Sequence, residues 1–157
     1  MAFMEWSSEM SVGVPEIDDD HRVLIAVINE LAEIQGREDR ISELRGCFSH
    51  LKSYAEFHFS REESMMRTAG FPALDGHQAE HRAFEAKMAE LQETLEGSDG
   101  KAAVSAVNEK LLSYLKNWLQ HHILVIDQAY APSVQGSREA LAVAQKFKAS
   151  HHWWGSS

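Results

Sequence analysis

The chain has 157 residues, of which 44% are apolar and 25% charged, the proportions of a single folded domain and not of a disordered polymer. With 24 acidic against 15 basic residues the formal charge is −9, so nucleic acid and anionic membrane surfaces are poor partners. The single cysteine, Cys47, excludes an internal disulfide and any site built from several thiolates, and no apolar run approaches the roughly 20 residues of a membrane span.

The opening residues Met-Ala-Phe-Met-Glu carry neither the basic nor the apolar region of a secretory leader, so a cytoplasmic protein is expected. The segment before Pro15 reads as an extended arm. Ile17-Asp18-Asp19-Asp20 offers N-cap carboxylates for a first helix. Val23, Leu24, Val27, Ile28 and Leu31 then follow at helical spacing, and Gly36 ends the run. A second helix is predicted over about 39–69, with Ile41, Leu44, Phe48, Leu51 and Ala55 as its stripe, stopped by Gly70-Phe71-Pro72. A third opens at Asp75 or Gly76 and runs through Phe84, Met88, Leu91 and Leu95 to the turn Gly97-Ser98-Asp99-Gly100. A fourth carries Val104, Val107, Leu111, Leu115 and Leu119 and reaches about Tyr130.

Four long helices with short connections predict an all-α, up-down-up-down four-helix bundle. Pro132 closes that unit, dividing the chain into a bundle over 1–132 and a segment over 133–157. Within the segment, 137–150 reads as an extra C-terminal helix with Leu141, Ala144 and Phe147 on one face. The tail from His151 and His152 onward reads as irregular.

Nine histidines are the unusual feature. His21 falls in the first turn of the first helix. His58 and Glu62 are four apart on the second, and His77 and His81 four apart on the third, the spacing that projects two side chains from one face. His122 and Asp127 are five apart on the fourth, off-face in a regular α-helix and able to meet only where the helix loosens. A lone histidine on an apolar face is ordinarily a satisfied core residue. Seven such groups converging from four helices would each be costly to bury unpartnered, and a metal removes that cost. Imidazole with carboxylate suits iron, zinc, copper or nickel. Seven ligands exceed one structural zinc and point to two metals. On octahedral counting, five imidazoles, two bridging carboxylates and one bridging oxide or hydroxide leave one of the coordination positions open for a small ligand. His121, His50 and Glu63 read as surface or structural residues beside this set.

The pattern resembles the hemerythrins, in particular their single-domain bacterial members. The resemblance runs from about Glu5 to Tyr130 and is carried by several stretches. These are Trp6, Val12-Gly13-Val14, Ile17-Asp18-Asp19-Asp20-His21, His58-Phe59-Ser60-Arg61-Glu62-Glu63, Gly70-Phe71-Pro72, His77-Gln78-Ala79-Glu80-His81, and Trp118-Leu119-Gln120-His121-His122-Ile123 through Asp127 and Tyr130. It implies two iron ions with a bridging oxide or hydroxide, and reversible O2 binding for transport, storage or delivery. One iron would take His77, His81 and His122. The other would take His21 and His58 and receive O2, and Glu62 and Asp127 would bridge. Leu24, Phe59, Trp118 and Leu119 would line the O2 pocket. The chain is expected to be a monomer and a binder and not an enzyme, with weak peroxidase-type activity at most. Two other functions fit the same site: a sensor acting through a protein partner docked on the C-terminal helix, and an enzyme handling peroxide or nitric oxide. The Glu-x-x-His repeat of ferritin-like di-iron proteins and the His-Glu-x-x-His of zinc proteases do not occur.

Overall fold

A computed structural model describes residues 3–97 and 101–150, with the side chains of 101, 102 and 147–150 outside that description. The expectations for Ser98, Asp99, Gly100, the Phe147 side chain and the tail at His151 and His152 lie outside the described residues. After a short 3-10 turn at Ser8–Met10 come α1 (Pro15–Ile34), α2 (Ile41–Ala69), α3 (Leu74–Glu96) and α4 (Lys101–Trp118). The chain continues through a π-helical segment (Leu119–Ile126) into α5 (Asp127–Gln135), and then α6 (Arg138–Ser150). α1 packs on α2, α2 on α3, α3 on α4 and α4 back on α1, which closes a four-helix bundle. Among the described residues there is no strand, and no helix is long and apolar enough to cross a membrane.

The helix ends show why these stretches stop where they do. Gly70 adopts φ 70°, and the N–H groups of Gly70 and Phe71 return to the carbonyls of Arg67 and Met66. This is the left-handed terminus that glycine tolerates without steric cost. The first helix begins at Pro15, where a missing N–H costs nothing, and not behind an aspartate cap. Asp18 instead reaches back to the arm, where it accepts hydrogen bonds from the Val12 N–H (2.9 Å) and the Ser11 hydroxyl (2.6 Å). The arm is thereby pinned, with Val12 and Val14 buried. Gln135 donates to the Val12 carbonyl, and its side chain passes close over Gly13, whose φ of 74° is one that glycine adopts without strain.

Pro132 does not close the bundle: it lies inside α5, and the rod begun by α4 runs on to Gln135. α6 then folds back onto α2 and α5, with Ala140 and Ala144 fully buried against the cluster of Met65, Met66, Tyr130 and Val134.

The buried side chains form two apolar clusters. One draws on the buried apolar side chains within 24–34, 44–59, 84–95 and 104–123. The other draws on Val12, Val14, Ile17, Met65 and Met66 and on Tyr130, Ala131, Val134, Ala140 and Ala144. Along each bundle helix the chain passes from one cluster to the other through polar residues: Asp20 and His21, His58 and Glu62, His77 and His81, His122 and Asp127. All of these are buried. The polar layer therefore spans the bundle between two dry halves.

Candidate metal centre

The four-residue steps on α2 and α3 turn His58 and Glu62, and His77 and His81, toward the bundle axis. The five-residue step on the last rod is accommodated by the π-helical segment. There the Asp127 N–H bonds the His122 carbonyl, an i→i+5 closure that sets the two side chains one above the other. Short π segments inside α-helices recur at functional sites for this reason.

The structure brings all seven side chains together. Glu62, His77, His81 and His122 form one group and His21, His58, Glu62 and Asp127 a second, each with one ligand atom per residue within 4.8 Å of the others. Glu62 belongs to both. Asp127 also reaches both: its Oδ2 is 3.1 Å from His21 Nε2, and its Oδ1 is 3.0 Å from the Nε2 of both His77 and His122. Glu62 Oε1 lies 3.0 Å from His58 Nε2 and 3.2 Å from His81 Nε2. Every imidazole thus turns Nε2 inward toward one of two carboxylates.

These contacts are close without being hydrogen bonds. The Nε2 atoms of all five histidines, Glu62 Oε1 and both Asp127 oxygens are buried and lack a hydrogen-bond partner. Such a concentration of unsatisfied polar atoms in a core is costly unless something else binds them. Imidazole nitrogen and carboxylate oxygen facing one another are the donor set of a transition-metal site, and the residues fit one.

The charges respond accordingly. Burial and the Asp127 carboxylate push Glu62 up, but the imidazoles of His58 and His81 outweigh them and hold it well below the usual carboxylate range. Burial also pushes Asp127 up, and His122, His21 and His77 together hold it well below. Burial lowers His58, yet Glu62 and Asp20 raise it to about 10.

Aromatic rings wall the layer. Phe59 stacks on His81 with centroids 3.9 Å apart, Trp118 on His122 at 4.1 Å and Tyr54 on His58 at 4.8 Å. Leu24 and Leu119 are fully buried in the same apolar cluster as Phe59 and Trp118, each one helical turn from a histidine of the site. His121 is exposed.

Several residues carry more than the sequence suggests. Glu63 is buried, not a surface charge, and its Oε2 accepts from His81 Nδ1 (2.8 Å) and Arg82 (2.9 Å). Asp20 is not a cap. It is buried against His58 Nδ1 (2.7 Å) and the buried Arg61. Tyr130 donates to Glu62 Oε2 (2.5 Å). The available signal was adjacency, since Asp20 and Glu63 each sit one residue from a metal-site residue. That step also describes any charged neighbour on the solvent side.

Residues 12–134 match the family described as Hemerythrin HHE cation binding domain. A bacteriohemerythrin of Clostridium acetobutylicum is 30% identical over 128 residues, covering 80% of this chain and 96% of that protein. One from Pseudomonas aeruginosa is 26% identical over 157 residues and covers 100% of this chain, so it extends through α6. The crystal structure of a wild-type hemerythrin superposes with a TM-score of 0.71 at 28% identity, covering 86% of this chain and 100% of that one.

Proposed function

Because the chain belongs to the hemerythrin family, we propose that it binds O2 reversibly at a di-iron centre and serves in its transport, storage or delivery. The observation that carries this is the pair of buried ligand groups joined through Glu62, with Asp127 also facing histidines of both. Glu62 and Asp127 would bridge two irons. His77, His81 and His122 would complete one and His21 and His58 the other, so five imidazoles divide unequally. The iron with fewer protein ligands would supply the position for O2, and the two irons together, one electron each, would supply the two electrons for its reversible reduction.

The chain's own residues supply the rest. Tyr130 orients Glu62 through its hydroxyl. Leu24, Phe59, Trp118 and Leu119 surround the centre with apolar side chains that exclude water, which slows loss of a reduced oxygen species and oxidation of the metal. The role proposed is binding, not turnover.

The test is optical. Iron-loaded, reduced protein is expected to develop a visible charge-transfer band on exposure to O2 and to lose it under argon through repeated cycles. Oxidation that argon does not reverse would overturn the carrier function while leaving the metal centre in place.

A further inference from the structure

The five imidazoles differ in what stands behind them. His58 Nδ1 meets Asp20 Oδ2 at 2.7 Å, and His81 Nδ1 meets Glu63 Oε2 at 2.8 Å. The Nδ1 atoms of His21, His77 and His122 are buried without a hydrogen-bond partner. One backed imidazole falls in each of the two ligand groups. Each backing carboxylate is in turn held by an arginine. Arg61, itself 2% exposed, bonds Asp20 and the Glu16 carbonyl, and Arg82 bonds Glu63, which also accepts from Gln78.

We propose that Asp20 and Glu63 are positioning residues for the metal centre, one for each metal, acting through His58 and His81. A carboxylate at Nδ1 accepts the ring proton there and leaves the Nε2 lone pair pointing into the site. The same contact fixes the ring rotation and raises the basicity of the ligand nitrogen, which favours the more oxidised metal. The arginines hold each carboxylate aimed at its imidazole. Gln78 and Arg82 leave the Glu63 relay at the edge of the bundle, with Arg82 55% exposed, whereas the Asp20 relay is dry throughout. The two irons are thus tuned through unlike surroundings. This rests on the di-iron reading given above.

The experiment compares full-length wild type with Glu63→Gln, Asp20→Asn and Asp19→Asn, the last a carboxylate of equal charge that is exposed on α1. Iron(II) affinity is read anaerobically by chelator competition, the reduction potential of the loaded protein by redox titration, and folding of the metal-free chain by circular dichroism. Glu63→Gln and Asp20→Asn are each expected to weaken iron binding about 10–100-fold. Each is also expected to favour the ferrous state about ten-fold, a rise of about 59 mV for a one-electron step. Asp19→Asn should match wild type in both. Asp20→Asn also strands Arg61 in the core, so if that variant fails to fold, Glu63→Gln decides. Affinity and potential within two-fold of wild type in folded Glu63→Gln would overturn the inference, as would an equal shift in Asp19→Asn. Wild type that binds no iron would instead defeat the di-iron reading itself.

Discussion

Removing the metal should destabilise the fold by an amount that the structure sets. Eight ligand atoms, five Nε2 and three carboxylate oxygens, are buried without hydrogen-bond partners. Imidazole–carboxylate pairing at 3.0–3.2 Å relieves part of this in the metal-free chain. If half the atoms are relieved, the remainder cost about 1 kcal/mol each at the low end of the usual range, or about 4 kcal/mol in sum. That is a large share of a domain's typical stability of about 5–15 kcal/mol. For a chain of this size, about 2–4 °C of melting temperature accompanies each kcal/mol, so a fall of about 8–16 °C is expected. The assay is calorimetry on reduced protein with iron bound and after exhaustive chelation, with metal content verified in both samples. Excess iron(II) should restore the higher transition, because a ligand that binds only the folded state stabilises it by mass action. A melting curve unchanged in verified metal-free protein would refute the reasoning, since the orphaned atoms would then carry no cost.

His77→Ala should lose iron, whereas His121→Ala, at an exposed position one residue from His122, should retain it. Iron analysis after gel filtration checks both, and equal loss would place the register of the last rod in error. Tyr130→Phe removes a hydrogen bond to a charged, buried acceptor and should cost about 1.5–3 kcal/mol by denaturant unfolding, with the rings of Phe71 and His77 keeping their packing partner. Burial, with Glu30 beside it, pushes the Cys47 thiol up to about 12. Native protein at pH 8 should therefore resist iodoacetamide and unfolded protein should react, as read by mass spectrometry. The same shift makes stability fall with rising pH above about 9, where the unfolded thiol ionises first, until the folded thiol follows near 12. A Cys47→Ser variant should show less of that decline.

Periodicity and breakers gave the bundle because each helix has an unmixed stripe, as in Leu44, Phe48, Leu51 and Ala55, and a glycine or proline at its end. The convergence of these seven side chains was legible because four-residue spacing on a helix is a statement about direction, and because seven polar groups on inward faces need a common partner. The five-residue step from His122 to Asp127 pointed to a loosened helix, but the π segment that accomplishes it has no local sequence mark that separates it from α-helix. Asp18, Asp20 and Glu63 were obscured for a related reason. An aspartate near a helix start serves equally as cap, surface charge or buried acceptor, a glutamate inside a helix as surface charge or buried acceptor, and only the docking of the arm and of α2 and α3 decides between them. Pro132 misled because a proline removes one helical N–H without obliging the helix to end, and α5 carries it in its last turn and continues to Gln135.

The most direct test of the central claim is a combined stoichiometry on one sample: iron per chain by atomic emission, and O2 taken up per chain by the reduced protein and recovered on degassing. Two irons and one recoverable O2 per chain are expected. A single iron, or two irons that consume O2 and return none, would contradict it.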